Sequence, residues 1–390
     1  VLSTSDVMPY LLHQLVQESA QRAPNAPALL WKDQVLDYAG LWERVSGSAA
    51  GLQDLGLQRD QPVAVYLPKQ FETVEFLFAA VAANGVFVPV NPVLKPEQVQ
   101  HILNDCEVAI LVTSRARLAS LAEILGNCPA LRHLVLVDDP PEDPVTDLPV
   151  HTADALRSTG RRPRGERIDA DMAAILYTSG STGGPKGVVL SDANMMAGAH
   201  SVSSYLLNTA DDGLLAVLPL SFDYGLSQLT TDFLVGACVV LMDYLLPRDV
   251  IRAVVRHRVT GLAAVPSLWN QLASLEWPEE AVRCLRYLTN SGGAMPSSTT
   301  RALRTSLPHT AVYLMYGLTE AFRSTYLEPD QLDTRPESMG KAIPNAHIMG
   351  VRPDGRECDA DEVGALVRRA ALVSLGDWNN PEKTAHHFRP

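Results

Sequence analysis

Short apolar runs alternate with stretches of helical periodicity along most of this chain. Pro62 to Leu67 (PVAVYL) and Val108 to Thr113 (VAILVT) are continuous apolar runs of strand length. Between them, Glu72 to Ala83 carries apolar residues at helical spacing and stops at Asn84-Gly85. Val86 to Val90 (VFVPV) resumes as a strand and ends at Asn91-Pro92, and Leu134 to Val137 predicts another before the acidic, proline-rich loop DDPPEDP. Farther on, Ala173 to Tyr177, Leu214 to Leu218, Gly261 to Val265, Tyr287 to Thr289 and Ala311 to Met315 read as strands. Asp249 to His257 reads as a helix with Val250, Ile251, Val254 and Val255 on one face. The longest apolar run, Phe233 to Met242 (FLVGACVVLM), is too short to span a bilayer and predicts a buried strand.

This alternation predicts an α/β fold: two packed, doubly wound α/β subdomains plus a small β-rich lobe. The expected portions are 1–165, a second α/β portion over 166–328, and a β-rich lobe over 329–390. The basic, turn-rich segment Ser158 to Arg167 (STGRRPRGER) separates the first two and reads as a solvated linker, with an anion-binding patch as the alternative.

Composition narrows the picture. Of 390 residues, 46% are hydrophobic and 19% charged, so a large core is expected and extensive disorder is not. The net charge of −12 argues against nucleic acid or an anionic membrane as the main partner. Five widely spaced cysteines with no CxxC pair fit a reducing compartment, and no basic leader precedes an apolar segment, so a cytoplasmic protein is expected.

The candidate chemistry lies in loops that follow strands. Tyr177 to Leu190 reads YTSGSTGGPKGVVL. Thr178, Ser179, Ser181 and Thr182 supply hydroxyl donors, while Gly180, Gly183 and Gly184 free backbone N–H groups to point one way. Lys186 adds a point charge on a flexible stem, which suits a polyphosphate. The spacing is not that of a Walker A loop, and no G-x-G-x-x-G fingerprint occurs. A second loop, Tyr316-Gly317-Leu318-Thr319-Glu320, offers an aromatic to stack on a base, a hydroxyl for a phosphate oxygen and a carboxylate for Mg²⁺. In a third, Asn290 to Pro296 (NSGGAMP), a flat group could lie on backbone at Gly292 and Gly293. Open α/β sheets place ligands at the carboxyl ends of strands, where all three loops sit.

YTSGSTGGPKG, NSGGA and YGLTE resemble, in this order, the core motifs of the AMP-forming adenylating enzymes: acyl-CoA synthetases, peptide-synthetase adenylation domains and luciferases. Leu36-Asp37-Tyr38, GVFVPVNP (Gly85 to Pro92), VPSLWNQL (Val265 to Leu272), GKAIPN (Gly340 to Asn345) and GDWNNPEKTAHHFR (Gly376 to Arg389) extend the likeness over nearly the whole chain, which most resembles bacterial acyl-CoA ligases. The resemblance implies a two-step reaction. A carboxylic acid attacks the α-phosphate of ATP, giving an acyl-adenylate and pyrophosphate; the thiol of coenzyme A or of an acyl or peptidyl carrier protein then takes the acyl group. It implies catalytic roles for Lys186, Thr319 and Glu320. Phosphates would meet Thr178, Ser179, Gly180, Ser181, Thr182, Gly183, Gly184 and Lys186. The adenine would be framed by Gly292, Gly293, Ala294, Met315, Tyr316 and Gly317, with Thr319 on the α-phosphate. Mg²⁺ would be held by Glu320 and Thr178.

Some departures carry weight. The chain ends at Pro390, short of the family's TGD motif, so the aspartate for the ribose, the hinge and the small C-terminal domain with its catalytic lysine are not in it. It therefore resembles the large N-terminal domain alone, for which slow or impaired adenylation is expected. A nucleotide-binding module that no longer catalyses is the alternative. Ala365 stands where the family usually has Glu, and Asp192 where many members have His. In SFDYGLSQ (Ser221 to Gln228) the acyl-CoA synthetase histidine is missing, and Phe222-Asp223 resembles the FD of amino-acid adenylation domains, whose aspartate pairs with the substrate amine. An Asp223 facing the pocket would favour an amino acid, because an unpaired buried carboxylate is costly beside an alkyl chain. An Asp223 that caps a turn leaves an apolar pocket. Tyr224, Gly225, Leu226, Trp269 and Leu272 would line that pocket in either case, with Phe222 beside Asp223, and Trp269 has core packing as its alternative.

Overall fold

The computed structural model describes residues 9–179 and 185–388. The chain divides into two compact units: residues 1–192 with 219–226 and 375–390, and residues 193–218 with 227–374.

The first unit is built on a mixed sheet. Strands Pro62–Val65, Val86–Pro89, Ile110–Thr113, His133–Leu136 and Val150–Thr152 run parallel to their neighbours. The first three are fully buried, which is why they read as unbroken apolar runs instead of alternating ones. Helix Phe71–Ala82 is buried almost all round, so its one buried carboxylate needs a partner. Arg157 supplies two bonds to Glu75, at 2.8 and 2.6 Å, and the Ser48 hydroxyl donates a third at 2.5 Å. Strand Met172–Ser179 joins this sheet beside Val86–Pro89 and turns back as Pro185–Ser191 in an antiparallel hairpin. Both strands of this hairpin lie in the first unit. Strand Gly376–Asp377 closes the sheet edge against Pro185–Ser191.

The second unit carries parallel strands Cys238–Leu241, Gly213–Ala216, Gly261–Ala264, Tyr287–Asn290 and Ala311–Tyr316, in that spatial order. Antiparallel Thr325–Leu327 and Lys341–Ala342 follow Ala311–Tyr316 in the order. A separate antiparallel pair, Ala346–Val351 with Ala365–Ala370, forms the β-rich part expected near the end of the chain. One expectation is corrected. The run Phe233 to Met242 is not one strand, because Phe233 to Val235 closes helix Asp223–Val235 and Gly236, at φ +82°, turns the chain into Cys238–Leu241.

Buried aspartates anchor both units. In the first, Asp192 is fully buried, accepts the Leu12 N–H at 2.7 Å and pairs with Arg167 at 2.5 Å, and Arg167 also reaches the Gly85 carbonyl. In the second, Arg286 grips Asp212 at 3.1 and 2.7 Å while Thr260 donates at 2.6 Å. Burial alone would push the Asp212 carboxyl up, but these bonds and the Thr209 N–H outweigh it and hold it below the usual carboxylate range.

Candidate functional site

In the first unit the site residues stand on the hairpin. The register pairs Ser179 with Pro185, Thr178 with Lys186 and Tyr177 with Gly187. A hydroxyl and an ammonium, eight residues apart in sequence, therefore become direct cross-strand neighbours at the open end of the hairpin. Gly180, Ser181, Thr182, Gly183 and Gly184, together with the Ser179 side chain, lie outside the described residues.

The base of the hairpin is fastened. The Tyr177 hydroxyl donates to the Asp105 carboxylate, and the edge of the Tyr177 ring meets His101. Burial first, then the neighbouring Cys106 and Asp105, push the Tyr177 phenol far up, so it stays protonated as a donor. The Asp105 carbonyl also accepts from Trp378 Nε1 and Asn379, each at 2.9 Å. Gly187 has a packing reason: a Cβ there would lie 2.7 Å from Ile175, 3.1 Å from Trp378 and 3.3 Å from the Tyr177 ring. Lys186 meets a carboxylate that sequence reasoning missed, Asp377, at 3.4 Å. Asp377 falls inside the quoted segment GDWNNPEKTAHHFR, but nothing in its spacing links it to Lys186.

In the second unit the candidate site residues follow the carboxyl ends of two neighbouring strands, Tyr287–Asn290 and Ala311–Tyr316. Strand register places Ala264 beside Asn290 and Asn290 beside Leu314, so two parallel strands end level and the third runs on to Tyr316. Gly292, Gly293 and Ala294 are exposed just past one end. Gly292 adopts φ +79°, and Asn290 closes the turn by donating to the Gly293 carbonyl at 3.0 Å. Next to it, the chain leaves Tyr316 through Gly317, makes a 3₁₀ turn at Thr319–Ala321, and returns through Phe322 at φ 48° to Thr325–Leu327. The Ser324 N–H closes this loop on the Tyr316 carbonyl at 2.8 Å. A Cβ at Gly317 would stand 2.1 Å from the Phe322 carbonyl oxygen, so the return path requires glycine.

Tyr316 is half-buried and held from the β-rich part. Arg368 donates to its hydroxyl at 2.9 Å and lies 5.0 Å from its ring centre. This clamp was not legible in the sequence, since Arg368 lies on a strand with no motif of its own. Met315 is buried, with Tyr205 bonded to its sulfur at 2.9 Å. Thr319 and Glu320 are half-buried, and the Glu320 carbonyl accepts the Ser374 N–H at 2.8 Å. Glu320 is the one carboxylate of this loop, and no group of three acidic, His or Cys side chains that could hold a metal ion exists among the described residues.

The pocket residues separate by environment. Asp223 opens helix Asp223–Val235 and is half-buried, where a carboxylate is favoured by the helix N-terminus. Phe222 is exposed, Tyr224 and Gly225 are buried. Trp269, in helix Pro266–Leu272, is fully buried, and its Nε1 donates to the carbonyls of Ala264 and Thr289 at 3.0 and 3.2 Å. Its indole is committed to tying two strand ends together, the core role named as its alternative.

The arginine-rich stretch at 158–167 is fastened to its own unit. Arg161 pairs with Asp54 at 2.7 Å, and Gln53 bonds both the carbonyl and the N–H of Arg164, at 3.0 and 2.9 Å. Arg161, Arg162 and Arg164 line a surface cavity of about 380 Å³. No helix among the described residues is long and apolar enough to cross a membrane.

Comparison with known proteins gives the family and the fold. The family model described as AMP-binding enzyme matches residues 16–378. L-proline–[L-prolyl-carrier protein] ligase of Streptomyces coelicolor (strain ATCC BAA-471 / A3(2) / M145) is 32% identical over 388 residues, covering 94% of this chain and 71% of that protein. Bacitracin synthase 3 of Bacillus licheniformis is 26% identical over 382 residues, 97% of this chain, and the chain spans only 6% of its length. Among solved structures, VinN superposes with a TM-score of 0.84 at 28% identity, covering 97% of this chain and 93% of VinN; it has also been solved with L-aspartate.

Proposed function

The chain belongs to the AMP-binding enzyme family, and from that premise we propose that it activates an amino acid as its adenylate and delivers it to a carrier-protein thiol. The observation that carries this reading is Phe222-Asp223, which puts a half-buried carboxylate at the start of helix Asp223–Val235. A carboxylate there pairs with a substrate ammonium and disfavours an alkyl chain. Relatives whose names specify prolyl-carrier loading, and a VinN structure with L-aspartate, support the same class.

In the first step an oxygen of the amino acid carboxylate attacks the α-phosphorus of ATP, and the bond to pyrophosphate breaks. In the second a thiol adds to the acyl carbon and AMP leaves. Little covalent chemistry falls to the protein; its task is to position phosphates and neutralise their charge. Thr178 and Lys186, facing each other across the hairpin, supply a donor and a cation. The exposed backbone at Gly292 to Ala294 and the clamped ring of Tyr316 frame the base. Thr319 takes an α-phosphate oxygen, and Glu320 is the carboxylate for Mg²⁺, which when bound neutralises phosphate charge.

The test is carboxylate-dependent ATP–pyrophosphate exchange by the full gene product over a panel of amino, fatty and aryl acids. Exchange with an amino acid, lost in Asp223→Ala, is expected. Exchange with fatty or aryl acids alone would replace this reading by an acyl-CoA ligase, and coenzyme A would then be the acceptor. Nucleotide binding without any exchange would leave a binding module.

A further inference from the structure

We propose that Asp377 is a positioning residue for Lys186, and that Lys383 is the second counterion that lets Lys186 leave for a nucleotide phosphate. The inference rests on the phosphate-binding role proposed for Lys186.

Asp377 sits on Gly376–Asp377, the short strand paired with the hairpin strand that carries Lys186, opposite Val188. Its side chain is 2% exposed, and neither carboxylate oxygen has a hydrogen-bond partner. Its charged neighbours are Lys186 Nζ at 3.4 Å and Lys383 Nζ at 3.9 Å. Backbone geometry fixes the carboxylate in place: Gly376 adopts φ +137°, and Thr384 accepts the Asp377 N–H at 3.0 Å. Lys383 lies in the helix Pro381–His387, whose start Asn380 caps by accepting the Lys383 N–H at 3.0 Å.

The composition makes this arrangement unusual. The chain has six lysines (Lys32, Lys69, Lys95, Lys186, Lys341 and Lys383), and two of them meet one carboxylate. An arginine would lock a carboxylate with two bonds, whereas lysine is a point charge on a flexible stem that can exchange partners. Both lysine side chains are about a quarter exposed, at 24% and 23%, so each has room to move. Were Lys186 the sole partner, moving it to a phosphate would leave a buried carboxylate unpaired, which opposes the move. Two cations on one anion remove that obstacle. Lys383 stays with Asp377 while Lys186 binds phosphate, and Lys186 returns when the phosphate departs.

Residue-resolved amine acetylation of the folded chain, followed by mass spectrometry, tests this without turnover. A lysine held by a carboxylate labels slowly, so Asp377→Asn should label Lys186 several-fold faster than wild type. Lys383→Met should label it more slowly, because Lys186 becomes the only counterion. Lys32 and Lys95 should label alike in all three proteins, which controls for folding. Equal Lys186 rates in wild type, Asp377→Asn and Lys383→Met would overturn the proposal. With Mg-ATP added, wild type should protect Lys186, and Lys383→Met should bind ATP several-fold more weakly. Combining it with Asp377→Asn should restore affinity, and failure to restore would also overturn the exchange. If ATP does not protect Lys186 in wild type, its phosphate role falls, while the rates without nucleotide still decide whether Asp377 holds it.

Discussion

Thr178 and Lys186 are cross-strand partners at the open end of the hairpin Met172–Ser179 and Pro185–Ser191. The register of the two strands thus sets the Thr178 and Lys186 positions side by side before any ligand arrives. Lys186→Ala is expected to lower the adenylation rate by about 10²-fold, the scale of losing one preorganised charge-stabilising group. Asp377 keeps Lys383, so thermal unfolding should move little. Pyrophosphate exchange beside a melting curve checks both halves, and an unchanged rate would remove Lys186 from the site.

Gly317→Ala should damage the loop after Ala311–Tyr316. The added Cβ would meet the Phe322 carbonyl at 2.1 Å, and backbone on both sides is pinned by the Ser324 to Tyr316 bond. The expected loss is about 1–3 kcal/mol, the range for forcing atoms into a packed site. Denaturant unfolding reads the stability, and weaker nucleotide binding should accompany it.

Arg368 holds Tyr316 through one hydrogen bond and its position over the ring. Arg368→Ala should cost about 1 kcal/mol of stability or less, since the contact is partly solvated. Its main effect should be a several-fold rise in KM for ATP, with kcat changed less. Tyr316→Phe keeps the ring and should show the smaller KM effect of the two.

Asp232 is fully buried in the second unit, and neither of its carboxylate oxygens has a hydrogen-bond partner. Burial, and then the charge of Asp212, push its carboxyl well above its ordinary value near 3.8. The folded chain therefore keeps a proton that the unfolded chain releases once the pH exceeds that ordinary value. Stability from this group is complete below it and is lost as pH rises toward the folded value. Asp232→Asn should flatten this slope and raise the melting temperature at neutral pH. A slope identical to wild type between pH 4 and 8 would refute the assignment.

In the buried pair Arg167 and Asp192, losing one partner should be costly. Arg167→Met strands a buried carboxylate and frees the Gly85 carbonyl, for an expected loss of about 3–5 kcal/mol. Chemical denaturation of the variant measures it.

Much of this protein was legible without coordinates. Continuous apolar runs at 62–67, 108–113 and 86–90 located buried parallel strands because strands covered on both faces have no polar side. Glycines and hydroxyls after strand ends marked the candidate site loops, because backbone must be bare where a ligand approaches. Local pattern failed where two elements share one composition: Phe233 to Met242 is apolar throughout, and only the turn at Gly236 divides helix from strand.

What sequence alone determined is the α/β alternation, three candidate site loops and the family they resemble. Tertiary structure alone decided which side chains hold them. Asp377 reaches Lys186 across 191 residues of chain, Arg368 reaches Tyr316 across 52, and Trp269 turns into the core to tie Ala264 to Thr289. These partnerships depend on strand register and burial, which follow from the whole sheet, and no local spacing encodes them.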